Sequence, residues 1–322
     1  MTIAFTFPGQ GSQAVGMGRE IVDTYPAAKK VFEEVDDALD QRLSDIILNG
    51  PDDLLTSTAH AQPALMAVSI ATMRALEAEG VVLKETASYV AGHSLGEYSA
   101  LAAADALTLG DAAKLLRIRG NAMQAAVPAG EGAMAAIMGL DQDALGSVVE
   151  EAAALGPCEI ANDNGGGQIV ISGAASAVEK ACEIAKDRGA KRALLLPVSA
   201  PFHCSLMQPA ADAMKQALDE VVIYQPSVPV VANVTVAPLT QPAHIRQSLV
   251  DQVTGQVRWR EIIEWFSANG VDRLLEVGSG KVLTGLARRI DRSLDGMPIN
   301  TPEDVQAVAA KLTGAPAPER LP

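Results

Sequence analysis

The apolar positions of this chain follow two rhythms. Short continuous apolar runs, bounded by glycine, proline or polar residues, predict buried strands at Ile3–Phe7, around Tyr89–Ala91 and at Arg273–Val277. Apolar residues recurring every three or four positions predict helices at Ala27–Leu39, Pro63–Glu79, Asp111–Ala126, Ser205–Glu220, His244–Val253 and Trp259–Ala268. One more helix is expected to leave Gly278-Ser279-Gly280 and end near Ile290. Strands that alternate with helices of these lengths predict an α/β fold with a mostly parallel sheet.

The rhythm changes near Pro128. From there the pattern predicts a strand at Ala133–Met138, a helix at Gln142–Ala154 and a strand at Cys158–Ala161. After a turn over Asn162–Gly167 come a strand at Gln168–Ser172, a helix at Ala175–Asp187 and a strand at Lys191–Pro197. The order βαββαβ is the ferredoxin-like arrangement. The expected organisation is therefore a larger domain from 1–128 and 198–313, a ferredoxin-like subdomain inserted at 129–197, and a disordered tail at 314–322, rich in proline and alanine.

Composition narrows the function. Of 322 residues 48% are hydrophobic but only 3% aromatic, so the core must be packed with Ala, Val, Leu and Ile. The net charge of −14 argues against nucleic acid and anionic membranes as partners. Cys158, Cys182 and Cys204 lack metal-site spacing and form no even framework, which fits a reduced compartment. With no basic leader before the early Pro8-Gly9 turn and no uninterrupted apolar span, a soluble cytoplasmic enzyme without a bound metal is expected.

The chemistry centres on Gly92-His93-Ser94-Leu95-Gly96, which joins the apolar run at Tyr89–Ala91 to an alanine-rich helical stretch. A G-x-S-x-G sequence between strand and helix is a nucleophile elbow. Its serine stands on a sharp turn, its glycines prevent collision, and the helix N-terminus offers N–H groups to an oxyanion. A serine hydroxyl needs a base. Of the four histidines, His93 lies inside the elbow, His60 before a helix start and His244 in a polar helical stretch. His203 follows a predicted strand and comes after Ser94 in the chain, as a serine–histidine pair in such a fold requires. No acidic residue stands out as a third member; Asp219 and Asp251 fall in solvated helical patterns. A histidine oriented by a neutral group is a weaker base, suited to forming an acyl-serine without activating water.

In the helix from Asp111, Arg117 shares a face with Lys114 and Asn121 and is expected in solvent. Arg119 instead lies on the stripe of Leu115, Leu116 and Met123. A cation there is either half of an internal salt bridge or a fork turned into a cleft to hold a substrate carboxylate.

Five segments carry a resemblance: Phe7-Pro8-Gly9-Gln10-Gly11-Ser12-Gln13, Gln62-Pro63-Ala64-Leu65, Gly92 to Tyr98, Arg119-Gly120-Asn121-Ala122-Met123-Gln124 and Phe202-His203-Cys204-Ser205-Leu206-Met207. In this order they resemble the malonyl-CoA:acyl-carrier-protein transacylase family, freestanding acyltransferases of bacterial type II fatty acid synthesis. The resemblance implies a hydrolase-like α/β domain with a ferredoxin-like insertion. It also implies Ser94 as the acylated nucleophile, His203 as its base and Arg119 as the malonyl carboxylate's partner. The N–H groups of Gln10 and Leu95 would form the oxyanion hole, Gln252 would help orient the histidine, and Asn162 would line the cleft. Phe202 stands where these freestanding enzymes often have a small residue, and in related polyketide acyltransferases a phenylalanine there goes with malonyl over methylmalonyl units.

What is expected is thus a ping-pong transfer: malonyl-CoA acylates Ser94, CoA leaves, and the phosphopantetheine thiol of acyl carrier protein takes the malonyl group. No cofactor is expected beyond CoA as substrate and product, and a monomer is expected. The acidic carrier would need clustered cations, offered by Lys281, Arg288 and Arg289 or by Lys186, Arg188, Lys191 and Arg192. A serine esterase or thioesterase, and a non-catalytic carrier-binding module, stay as the alternatives.

Overall fold

A computed structural model of the chain describes residues 2–314, so the expected tail beyond Gly314 lies outside the described residues. Ten strands occur among them: β1 (Ile3–Phe7), β2 (Ala87–Gly92), β3 (Gly132–Met138), β4 (Cys158–Asp163), β5 (Gln168–Ala174), β6 (Arg192–Leu195), β7 (Val230–Val231), β8 (Pro238–Leu239), β9 (Arg273–Val277) and β10 (Asp295–Ile299). They build an α/β fold of two separate sheets. The larger runs β10-β9-β1-β2-β7-β8, parallel throughout except for the final β7–β8 pair. All five residues of β1 are buried, as expected of a strand covered on both faces. β1 and β2 are parallel neighbours with Phe7 opposite Gly92, so the chain leaves both at the same end of the sheet, where the Pro8–Gln13 loop and the elbow meet.

The second sheet is antiparallel in the order β4-β5-β3-β6. One face packs its own apolar cluster, with Ala135, Ile137, Ile169 and Ile171 against Leu145, Val148, Val178 and Ala181 of the helices Gln142–Ala152 and Ala175–Asp187. Alternate residues on the other face, Met134 and Val170, join the main core instead. The two sheets are fastened where Asn162 bridges to Val257 and where Arg260 Nε reaches the buried Asp163 carboxylate at 2.7 Å.

Several elements differ from their expected form. Asn162 belongs to β4 rather than to a turn, because it pairs with Val170 of β5 on one side and bridges to Val257 on the other. The helix expected from Pro63 begins at Thr58. Proline removes one hydrogen bond near the start of a helix without ending it. β10 and the helix Pro302–Thr313 were not expected. β10 contains Gly296 and Pro298, which argue against a strand, yet as an edge strand it needs only one side of its ladder. Arg117 is half-buried rather than solvated. Its Nε and Nη2 are enclosed without a hydrogen-bond partner among the described residues, and burial lowers its pKa.

Candidate active site

The elbow between β2 and the helix Gly96–Ala103 is as tight as its glycines suggest. A Cβ on Gly92 would come within 1.9 Å of the Gly96 carbonyl, and one on Gly96 within 2.3 Å of the Phe7 oxygen. Ser94 at the apex has φ 52°, a left-handed conformation costing of order 1–3 kcal/mol for a residue with a side chain. Asn233, just past β7, holds the turn in that shape: its Oδ1 accepts the Ser94 N–H at 2.7 Å, and its Nδ2 donates to the Gly92 oxygen at 2.7 Å.

His203 also has a positive φ, 59°, and its ring spans the gap between nucleophile and backbone. Nε2 lies 2.8 Å from Ser94 Oγ, and Nδ1 lies 2.9 Å from the main-chain oxygen of Gln252. A carbonyl oxygen can only accept, so Nδ1 carries the hydrogen and Nε2 is left bare toward the serine. The third member is thus a neutral carbonyl. It belongs to the backbone of Gln252 and not to its side-chain amide. Burial, and next the charge of Arg119, hold the His203 pKa far down, to about 3.

Arg119 is 1% exposed and makes no ion pair with a carboxylate among the described residues. Neutral groups hold it: Nη1 donates to Gln62 Oε1 at 2.8 Å, while Nη2 donates to Gln252 Oε1 at 3.0 Å and to Ser94 Oγ at 3.1 Å. Gly120 makes this reach possible. A Cβ there would lie 2.6 Å from the Thr58 oxygen, so the helix Leu109–Ala125 closes onto Thr58–Ala78 and brings Arg119 to Gln62. The guanidinium Nε meets no acceptor among the described residues.

These groups open onto a cavity of about 450 Å³ walled by Gln10, Ser94, Leu95, Arg119, Asn162, Phe202 and His203, with Met123, Met134, Val170 and Leu286 supplying apolar surface. Gln252 is absent from that wall. It is fully buried behind it, its amide engaged with Arg119, Glu97 and the Ser94 oxygen. The N–H groups of Gln10 and Leu95 meet no acceptor among the described residues. The loop carrying Gln10 lies against the elbow because Gly9 has no side chain; a Cβ would sit 2.8 Å from the His93 oxygen. His93 also faces the cavity, with Nε2 2.9 Å from Asn164 Oδ1. No cluster of three or more His, Cys, Asp or Glu suited to a metal occurs among the described residues, and no helix there is long and apolar enough to cross a membrane.

Sequence reading missed Asn233, Glu97 and the role of Gln62. Glu97 did carry a signal, as a lone carboxylate at the start of an otherwise alanine-rich buried helix. Gln62 likewise interrupts an apolar helix face. Asn233 had none, since its role depends on contact with residues far away in the chain.

Residues 4–299 match the acyl transferase domain family. The malonyl CoA-acyl carrier protein transacylase of Bacillus subtilis is 47% identical over 94% of this chain and 95% of its own length. The protein of the same name in Escherichia coli K12 is 45% identical over 94% and 97%. Among solved structures, an acyl-carrier-protein-S-malonyltransferase from Bartonella henselae superposes with a TM-score of 0.96 at 60% identity, covering 98% of this chain and 100% of the other. A malonyl-transacylase in complex with a type II polyketide acyl-carrier protein gives 0.93 at 40% identity, over 98% and 100%.

Proposed function

The chain belongs to the malonyl CoA-acyl carrier protein transacylase family, and from that membership and this geometry we propose how its residues move a malonyl group from CoA to acyl carrier protein. The carrying observation is the 3.1 Å contact between Arg119 Nη2 and Ser94 Oγ. A carboxylate bound to that guanidinium lies within about one methylene of a carbonyl carbon held at the serine, which is the shape of malonyl and not of a longer acyl group.

Ser94 Oγ attacks the thioester carbonyl and gives its proton to His203 Nε2. The N–H groups of Leu95 and Gln10 take the oxyanion. Collapse breaks the C–S bond, and the CoA sulfur leaves with the proton from His203. In the second half-reaction the phosphopantetheine thiol gives its proton to His203, its sulfur attacks the malonyl ester, and Ser94 recovers its hydrogen. Gln252 supports both steps through its carbonyl on His203 and its amide on Arg119. Asn162 borders the acyl group, and Phe202 fills the volume beside it that an α-methyl substituent would need. A thiol of pKa about 8.5 suits a weakly basic imidazole far better than water does, which favours transfer over hydrolysis.

The finer architecture is part of this reading. The strand order β4-β5-β3-β6 with both helices on one face supports a ferredoxin-like subdomain at 129–197, inserted in a hydrolase-like domain formed by 1–128 and 198–313. A monomer is taken as the working unit. Three unpaired buried thiols support a cytoplasmic setting. No bound cofactor is invoked, since CoA enters as part of the substrate and leaves as product.

Incubation with malonyl-CoA and carrier protein tests the proposal. A malonyl thioester should form on carrier that bears its phosphopantetheine arm and not on carrier without it. Release of free malonate as the main product would indicate a hydrolase.

A further inference from the structure

Arg119 is a buried cation held by amides and a hydroxyl, with the Tyr98 ring centre 5.9 Å from its guanidinium carbon, and a buried charge needs an opposite one near it. Glu97 is a carboxylate 2% exposed, in the first turn of the elbow helix, and it lies in no wall of the cavity. The two are joined through one side chain. Gln252 Oε1 accepts from Arg119 Nη2 at 3.0 Å, and Gln252 Nε2 donates to Glu97 Oε2 at 2.8 Å. The amide dipole is thus aligned between cation and anion, its oxygen toward the guanidinium and its N–H toward the carboxylate. The flipped amide would face like with like at both ends, so the two charges fix which way Gln252 points. Glu97 Oε2 also accepts the Asn233 main-chain N–H at 2.9 Å, and Asn233 in turn holds the Ser94 turn.

We propose that Glu97 is a positioning residue that serves as the charge partner of Arg119 at one remove, with Gln252 inserted between them so that no carboxylate of the protein takes the substrate carboxylate's place on the guanidinium. The inference rests on the carboxylate-binding role of Arg119. A carboxylate in direct contact with Arg119 would compete with malonyl for the same N–H groups; one held behind an amide balances the charge without occupying the fork. Burial lifts Glu97 to about 7, opposed by the Asn233 N–H, the Gln252 amide and the charge of Arg119. The titratable groups interacting with it are Arg119, across the helix contact, and Tyr98, its chain neighbour.

The test compares Glu97→Gln, Glu97→Asp and Arg119→Ala with the unaltered enzyme, using malonyl-CoA and acetyl-CoA in buffer about one pH unit above that value. A glutamine carbonyl can still accept both N–H donors, so Glu97→Gln removes the charge and keeps the scaffold. With its counter-charge gone, Arg119 holds a carboxylate more tightly: KM for malonyl-CoA should fall roughly tenfold while KM for acetyl-CoA stays put. Glu97→Asp keeps the charge at shorter reach, and should lower kcat for both substrates with the KM ratio unchanged. Equal changes on both substrates in Glu97→Gln, or the same KM ratio shift in Glu97→Asp, would overturn the inference. A malonyl preference that survives Arg119→Ala removes the role of the arginine, and the inference with it. A preference that collapses there yet is untouched by Glu97→Gln removes the inference alone. Infrared difference spectra of the unaltered enzyme with isotope-labelled glutamate give an independent reading. Malonylation brings a second carboxylate close to Glu97 and should protonate it, whereas acetylation should not; no glutamic acid band on malonylation contradicts the assignment.

Discussion

At the scale of single residues, the site works through what surrounds each group. His203 is kept neutral by burial and by the cation beside it, which lower its pKa from 6.5 to about 3. A depressed pKa leaves the imidazole able to accept the Ser94 proton at lower pH. The acid limb of kcat/KM for malonyl-CoA, which reports the free enzyme, should therefore lie below about pH 5, and a limb at 6.5 in a pH–rate profile would contradict it. Phe202 makes a second expectation. Its ring is buried next to His203 and forms part of the cavity wall. Discrimination of one methyl by a pocket is worth about 1–3 kcal/mol, so malonyl-CoA should be preferred over methylmalonyl-CoA by roughly ten- to two-hundred-fold. Phe202→Ser should narrow that ratio mainly by improving the methylmalonyl reaction. If kcat/KM for both substrates declines together, the ring serves only to pack the His203 loop. The serine was legible from its motif, the histidine from its place in chain order after a strand, and the arginine because it departs from an apolar helix face. Asn233 and the backbone oxygen of Gln252 were not, since any residue has a carbonyl and only tertiary placement gives that one a task.

At the scale of elements, close approach decides the geometry. The helices Leu109–Ala125 and Thr58–Ala78 touch at Gly120, where a methyl group would meet backbone atoms of Thr58 and Ala59 at 2.6–3.0 Å. Backbone cannot move aside as a flexible side chain can. Gly120→Ala should cost about 1–3 kcal/mol of stability in denaturant unfolding, and should raise KM for malonyl-CoA by drawing Arg119 away from Gln62 and Ser94. Unchanged stability and KM would show that the contact yields easily. The long helices and the βαββαβ order could be read from periodicity because their apolar faces are regular. The two-residue strands β7 and β8 are too short to have a period, and β10 breaks the usual composition of a strand. The helix Pro302–Thr313 was legible in principle, since Thr301 and Asp304 form a capping box at its start.

At the scale of the whole molecule, an enzyme of net charge −14 needs a local cluster of cations to receive a carrier expected to be acidic. The structure separates the two basic clusters. Val282, Leu283 and Leu286 of the helix Val282–Ile290 line the cavity, and Lys281, Arg288 and Arg289 are exposed on the same segment. In the other cluster Arg188 is already paired with Glu151, and Lys186 belongs to a helix packed on the far face of the small sheet. Reversing charge at Arg288 and Arg289 should therefore slow transfer to the carrier, spare acylation by malonyl-CoA, and lose its effect as salt is raised. The same insensitivity at high and low salt would place docking elsewhere. The central claim, that malonyl passes through an ester on Ser94, is tested most directly by intact-mass analysis and peptide mapping after brief exposure to malonyl-CoA. The account predicts one malonyl group per chain, on Ser94, discharged by carrier bearing its arm and absent from Ser94→Ala, whose turnover should fall by roughly a million-fold. A malonyl group that persists in Ser94→Ala, or transfer that proceeds at the normal rate without one, would contradict it.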